Sequence, residues 1–198
     1  MSIHLEVIPS SQRIPTAEEL LARTQITLAA LANNSAALRI WSVEKFSTFN
    51  PQIRVIDESG CEIRSARLDF NENSCGWVSL NGDTLVLGFR FDRKTETDAI
   101  EWREYLMQDV ATRAAVGAEI DGFGYENAAQ LGYSWAMRGS LGRSKATWLL
   151  AGVTATALAE LTDGILWSDD GGADWRRMPA NPRTFLEWFP DWVDANFS

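Results

Sequence analysis

The chain is short of the residues on which several function classes depend. Its 198 residues include only two cysteines and one histidine, so neither a Cys/His metal site nor a Cys–His catalytic pair is indicated. Its 18 basic residues stand against 27 acidic ones, whereas unaided nucleic-acid binding needs a cationic surface. The longest uncharged apolar stretch, 146–159, is too short to cross a bilayer. These absences argue against metal, cofactor, nucleic-acid and membrane roles.

The amino terminus also lacks the features of a secretory signal. Residues 1–6 contain no basic segment, and no apolar segment follows them, so we expect a cytoplasmic protein. Cys61 and Cys75 are then expected to be free thiols. The net charge of −9 keeps such a protein soluble, and it also favours association with a basic protein partner.

Apolar material is plentiful. Hydrophobic residues make up 45% of the chain and include nine tryptophans, which is enough for a folded core in one domain covering residues 1–198. Tryptophan is also favoured at the centres of protein interfaces, so some of the nine are candidates for partner contacts.

Periodicity predicts an α+β fold, in which an antiparallel sheet or meander packs with two or three principal helices. Alternation of apolar and polar residues predicts a first strand at 3–8, where His4 is expected to face solvent. Thr16 and Glu19 form a capping box that begins a helix. Strands are further predicted at 52–57 and 62–70, separated by a hairpin turn at 58–60, and at 76–80 and 84–91, which flank the hairpin pair Asn81-Gly82. The further predicted helices are 95–115, 145–161, ended by a left-handed Gly164, and a short one at 183–189.

Residues 117–143 contain six glycines, which predicts an irregular loop. Aromatic side chains interleave with these glycines, so we expect Tyr125, Tyr133 and Trp135 to contact a partner. Arg138 and Arg143 precede a helix start, where backbone N–H groups favour anions, and they complete the candidate binding set. The alternative interpretation is that Trp135 faces inward and only stabilises the loop by packing.

Familiar catalytic and metal-binding motifs are incomplete in this sequence. Residues 132–136 differ at one position from the Gly-x-Ser-x-Gly nucleophile motif, but no histidine follows the serine. Residues 139–144 lack the spacing and the lysine of a phosphate-binding loop. The aspartates near 163–174 do not follow the EF-hand spacing. The sequence therefore predicts no catalytic residue and no enzyme activity.

Residues 168–175 fit the pattern Ser-x-Asp-x-Gly-x-x-Trp and resemble the Asp-box of sialidases and other β-propellers. One such motif in 198 residues is far too little for a propeller of several blades. The motif instead predicts a structural β-hairpin turn made by Ser168, Asp170, Gly172 and Trp175. In this turn the Asp170 carboxylate would accept backbone N–H bonds.

The overall arrangement resembles bacterial immunity proteins of interbacterial toxin systems. The resemblance lies in the opening strand and capped helix, the strand meander, the two-helix second half, and residues 159–167 running into an acidic turn. It implies a non-enzymatic cytoplasmic protein that binds and neutralises a cognate, basic toxin. A small hydrolase or transferase using the glycine-rich loop, and a structural or phage-derived accessory protein, are the alternatives.

Overall fold

A computed structural model describes residues 2–34, 50–63, 66–80, 85–117, 129–140, 144–168 and 174–197, and these form an α+β fold. The described strands are β1 (Ser2–Ile8), β2 (Pro51–Ile56), β3 (Cys75–Leu80), β4 (Leu85–Arg93), β5 (Tyr133–Ser140) and β6 (Ile165–Trp167). The described α-helices are α1 (Ala17–Asn34), α2 (Glu96–Ala115), α3 (Lys145–Leu161) and α4 (Pro182–Asn196). Two 3₁₀ turns lie at Ala129–Leu131 and Trp175–Arg177.

The six strands form one sheet in the order β2-β3-β4-β5-β1-β6, and every neighbouring pair is antiparallel. Successive side chains of a strand point to opposite faces of a sheet. On β1, Leu5 and Val7 therefore join the main core, whereas Ile8 packs in a separate cluster on the other face. The two faces are covered by different helices.

One face lies against α1, α3 and α4, with α3 at the centre of this layer. Fourteen of the 17 residues of α3 are buried, which explains why its sequence is apolar on all sides. Gly152 marks the closest approach of α4. A Cβ atom at this position would lie 2.1 Å from Cε1 of Phe189, so the phenyl ring fills the space that any larger residue would need.

Helix α2 packs on part of the opposite face. Leu106 of α2 forms a small buried cluster with Ile8, Ile165 and Trp167, and Trp102 packs against it. The helix thus lies over the β1–β6 end of the sheet, and the neighbouring strands β3, β4 and β5 form the floor of a cleft on the same face.

Several sequence predictions are confirmed by these elements. Helix α3 has the predicted bounds, and in the capping box Glu19 N–H donates to Thr16 Oγ1 over 3.2 Å while Thr16 N–H donates to Glu19 Oε2 over 2.8 Å. The predicted turn after β2 is held by Asp57, whose Oδ1 accepts the N–H groups of Ser59 and Cys61. Strands β3 and β4 form the predicted hairpin, although its turn, 81–84, lies outside the described residues.

The predicted strand at 62–70 is wrong. Ala66, Leu68 and Phe70 are buried, so the alternating pattern was genuine. The segment nevertheless pairs with β2 only at its start and then turns to the loop before α1, where Leu68 N–H donates to the Pro15 carbonyl. Alternation identifies an extended chain, whereas membership of a sheet depends on which backbone partner is in reach.

The prediction of one irregular loop across 117–143 is also wrong. Residues 133–140 are β5, a central strand paired with both β1 and β4. Two of the six glycines, Gly132 and Gly139, lie beside and inside this strand. Gly139 is small because the indole of Trp148 packs on it, and its ideal Cβ would lie 2.9 Å from that ring. Close packing thus accounts for Gly139, whereas Gly132 has a left-handed φ of 69°.

Three local predictions need correction. Helix α4 runs through Pro190 to Asn196 and so extends beyond the predicted 183–189. At the end of α3 the left-handed residue is Asp163, with φ of 51°, while Gly164 is required because a Cβ would lie 2.6 Å from the Ile8 carbonyl oxygen. His4, expected to face solvent, is buried at 6% exposure.

The Asp-box-like segment is described only at its ends. Asp170 and Gly172 lie outside the described residues, so the predicted carboxylate bond of Asp170 stays a prediction. Ser168 is buried and its carbonyl accepts a 2.8 Å bond from Arg113. The chain leaves the segment in a 3₁₀ turn beginning at Trp175 and then returns to pair Ala180 with Leu166.

The two cysteines are free, as predicted: Cys61 is exposed and Cys75 is partly buried. Among the described residues, no helix combines the length and the hydropathy that a membrane span requires.

We predict that Gly152→Ala destabilises the protein by about 1–3 kcal/mol, the usual effect of overpacking a core. The same change in a helix interior with free space stabilises by about 1 kcal/mol, so the sign of the effect reports the contact with Phe189. Urea unfolding measures the change in the free energy of unfolding.

Gly88→Ala is the matched control for this measurement, because its Cβ would meet only ordinary contacts, the nearest being a ring carbon of Trp77 at 3.5 Å. We expect this variant to be at least as stable as the parent. A Gly152→Ala protein as stable as the parent would contradict the close helix packing.

Candidate functional site

A cleft of about 990 Å³ opens on the sheet face opposite the layer of α1, α3 and α4. Strands β1, β3, β4 and β5 form its floor, and α2 forms one wall. The lining of the cleft is rich in ionisable and aromatic side chains. The ionisable ones are His4, Glu6, Glu72, Cys75, Arg90, Asp92, Lys94 and Arg138, and the aromatic ones are Trp77, Phe91, Trp102, Tyr105 and Trp167.

The register of the strands places four residues in one row across the floor. Trp77 of β3 faces Gly88 of β4, Gly88 faces Arg138 of β5, and Arg138 faces His4 of β1. The indole of Trp77 leans across Gly88, because the position of a Cβ there lies 3.5 Å from a carbon of its six-membered ring. An aromatic surface and a guanidinium group thus lie on the two sides of a glycine.

A second row runs parallel to the first. Arg90 of β4 faces Ala136 of β5, and Ala136 faces Glu6 of β1. Ala136, like Gly88, has little side-chain volume. The middle of the floor is therefore low, with longer side chains on either side, which accounts for the concave shape of the site.

Glu6 is a buried carboxyl group at one side of the cleft, with 4% of its surface exposed. Burial raises its pKa, since desolvation disfavours the charged form. The Ser134 hydroxyl, which donates to Glu6 Oε1, and the nearby charges of His4 and Lys94 act in the opposite direction. Burial is the larger effect, so Glu6 holds its proton at higher pH than an ordinary glutamate.

The end of β4 contacts the wall of the cleft through Lys94. Its ammonium group is ion-paired with Asp92 and lies 5.3 Å from the ring centre of Trp102 on α2. A cation over an aromatic face is attracted by the ring quadrupole. The charges of Lys94 and Asp92 therefore balance each other within the site.

A second anchor lies nearer the end of α2. Asp109 accepts a 3.0 Å bond from the indole N–H of Trp167 and a 2.6 Å bond from Arg113, which also donates to the Ser168 carbonyl. This buried network joins α2 to the end of β6. The wall of the cleft is thus fixed to the sheet at two points.

Cys75 is not activated as a nucleophile in this setting. Burial raises the pKa of its thiol more than the neighbouring Arg90 lowers it, so the reactive thiolate is disfavoured at neutral pH. The thiol donates to the Phe89 carbonyl over 3.4 Å. Its role in the site is to fill space between β3 and β4.

Of the five residues predicted to bind a partner, only Arg138 is placed in the cleft. Tyr125 and Arg143 lie outside the described residues. Trp135 is fully buried and donates its indole N–H to the Leu68 carbonyl over 2.6 Å, and Tyr133 packs beside it. The expected exposed loop positions of Tyr133 and Trp135 are wrong, because both point to the core face of β5 and present no surface to a partner.

The sequence analysis did not single out Glu6, Trp77 or Arg90 as site residues. The available signal was the alternation of side chains between the two faces of a strand. Each of these residues lies one position from a residue that the alternating pattern assigns to the core, and so points to the other face. Polar and aromatic residues on the outward parity of several strands meet on one face once the strands pair. The strand order that brings them together is a long-range property.

Within the described part of the chain, no group of three His, Cys, Asp or Glu side chains is arranged to hold a metal ion. Comparison with known proteins adds no assignment, since no family model, no curated protein and no solved structure matches the chain.

We predict that the stability of the protein falls as pH rises from about 4.5, the ordinary glutamate pKa, through the raised pKa of folded Glu6. The sign follows from linkage: the folded state binds the Glu6 proton more tightly, so its contribution is complete below the unfolded pKa and is lost above the folded pKa. Glu6→Gln should remove this dependence and exceed the parent in stability at pH 8. Urea unfolding across this pH range measures both effects.

Glu72→Gln is the control, because Glu72 is an exposed carboxyl at the same cleft and should leave the pH profile unchanged. A constant difference between parent and Glu6→Gln at every pH would refute the prediction.

Proposed function

We propose that this protein is a non-enzymatic binding protein that neutralises a cognate toxin, and that it holds the toxin in the cleft on the open face of the sheet. The observation that carries the proposal is the composition of the cleft. Exposed Trp and Tyr side chains and two exposed arginines are gathered in one concave surface, and these residue types dominate binding energy at protein interfaces.

Trp77 is the best candidate for the central contact. Its side chain is 38% exposed on the floor of the cleft, and Tyr105, on the wall, is 49% exposed. Large aromatic surfaces that remain exposed in the free protein lose contact with water when a partner covers them. The strands beneath Trp77 hold it in place, so little conformational freedom is lost on binding.

The outer surface of α2 supports association with a basic partner. Four acidic side chains on this helix are exposed beside the cleft: Glu96, Asp98, Glu101 and Glu104. Such a surface raises the rate of encounter with a positively charged protein, and added salt reduces this effect. The partner is thus expected to be basic around the part that enters the cleft.

We predict that Trp77→Ala weakens toxin binding by about 2 kcal/mol or more, the scale of an interface hot spot, and abolishes protection when the two proteins are co-expressed. The physical reason is loss of the exposed indole surface at the cleft floor. Calorimetry with the purified product of the adjacent gene, tested as the candidate toxin, measures the affinity, and a growth assay measures protection.

Ile26→Ala is the matched control, since Ile26 is a large apolar residue, 60% exposed, on α1 in the opposite helical layer. Its loss should change neither affinity nor growth. Both variants should retain the thermal midpoint of the parent within a few degrees. Full protection by a folded Trp77→Ala protein would place the interface elsewhere.

A small hydrolase or transferase is the second candidate, and Glu6 is the observation that favours it. A buried carboxyl with a raised pKa beside a cleft is the usual setting of a general acid. The Ser134 hydrogen bond and the His4 charge would then orient and tune the carboxyl group.

This candidate predicts turnover that depends on Glu6. A panel of simple esters and phosphate monoesters should reveal activity that Glu6→Gln lowers by about a hundredfold or more, the usual contribution of a general acid. Glu72→Gln should keep full activity. Equal rates for the parent and Glu6→Gln on every substrate would refute the enzyme candidate.

A further inference from the structure

Two arginines converge on the cleft floor from adjacent strands. Arg138 faces Gly88 and Arg90 faces Ala136, so the arginines are diagonal neighbours on the same face. Diagonal neighbours in an antiparallel pair lie about 7–8 Å apart, within reach of long side chains. The residues opposite them are small, which leaves room for both guanidinium groups above the floor.

No carboxylate of the described residues is ion-paired with Arg90 or Arg138. Lys94 and Asp92 balance each other, and burial favours the protonated form of Glu6, which faces the same space. In a chain of net charge −9, the floor of this cleft thus presents two arginines that are not held in ion pairs with the described carboxylates.

A flat apolar surface lies beside these cations. The indole of Trp77 leans over Gly88, next to Arg138 in the same row, and it remains 38% exposed. Trp102 and Tyr105 of α2 line the same cleft. A ligand at the arginines therefore lies in a cleft that also offers aromatic side chains.

We propose that Arg90 and Arg138 form a carboxylate-binding site, and that its ligand is an aromatic carboxylate whose ring lies on Trp77. Guanidinium groups bind a carboxylate through two parallel N–H···O bonds, and aromatic rings gain energy by offset stacking. The carboxylate belongs either to a free aromatic acid or to an aromatic carboxyl-terminal residue of a protein. The second source rests on the proposed function, whereas the site itself does not.

Titration of the isolated full-length protein with benzoate tests the site. Nuclear magnetic resonance should show shifts at the Trp77 indole N–H, the Gly88 amide and the Arg138 guanidinium, with saturation in the millimolar range expected of a small fragment. Benzamide, which has the same ring without the charge, should bind at least about tenfold more weakly. Equal binding of the two compounds would overturn the carboxylate assignment.

Arginine variants locate the site. Arg138→Gln and Arg90→Gln should each weaken benzoate binding at least about tenfold. Arg54→Gln is the matched control: Arg54 is an exposed arginine of β2 that faces Trp77 from outside the cleft lining. If Arg54→Gln lowers the benzoate affinity as much as Arg138→Gln does, benzoate is attracted to any surface charge, and the proposed site is refuted.

Gly88→Val provides a test that keeps both charges. The valine side chain fills the floor of the cleft between Trp77 and Arg138, so the benzoate affinity should fall while the fold is retained. Unchanged affinity in a folded Gly88→Val protein would contradict the predicted position of the ring.

N-acetyl-phenylalanine distinguishes the two sources, because it carries the carboxylate of a peptide terminus. Tighter binding than benzoate supports a protein terminus, and weaker binding supports a free aromatic acid. If the parent protein binds benzoate but gives no protection against the toxin, the proposed function fails and this site stands. If the protein protects against the toxin but does not bind benzoate, the carboxylate site fails and the proposed function stands.

Discussion

The burial of α3 against one face of the sheet is the constraint on which the rest of the structure depends. Fourteen of its residues lose contact with water, and the strands beneath it supply Leu5, Val7, Trp135 and Met137 to the same core. Once these side chains face α3, parity sends Glu6, Ala136 and Arg138 to the other side. The candidate functional surface is thus a consequence of core packing.

The opposite face of the sheet contains both stabilising contacts and a carboxyl group whose burial costs free energy. Helix α2 is joined to it by the Asp109–Trp167–Arg113 network and by Lys94 against Trp102, so one end of the face is covered. Beside that covered end, a carboxyl group is buried at Glu6, and burial opposes its ionisation. Hydrophobic substitutions there would serve the fold equally well or better. A buried carboxyl group beside an open cleft is one of the features that make this face a functional candidate.

Local patterns in the sequence were sufficient for much of the fold. The Thr16–Glu19 capping box, the turn at Asp57–Gly60 and the largely apolar helix 145–161 are each determined by neighbours within a few residues. The β3–β4 hairpin was also predictable, because alternation and an Asn-Gly pair agree there.

Features that depend on distant partners were not predictable in this way. Residues 62–70 have the pattern of a strand but pair with the loop before α1, a choice made by tertiary contacts. Gly132 and Gly139 suggested a loop, whereas they flank and enter a central strand on which Trp148 packs. The cleft is the clearest case. Its residues come from five strands and one helix that are far apart in sequence, and only the strand order β3-β4-β5-β1-β6 brings them together.

The small residues at the centre of the cleft floor have a further consequence. Gly88 and Ala136 lie on strands whose other face is packed in the core, so a change of their volume alters the depth of the cleft without touching that core. The depth and the charge of the cleft can therefore change in evolution without a change in the fold. A lineage carrying this fold is free to acquire a new ligand through single substitutions, whereas the residues beneath α3 have no such freedom.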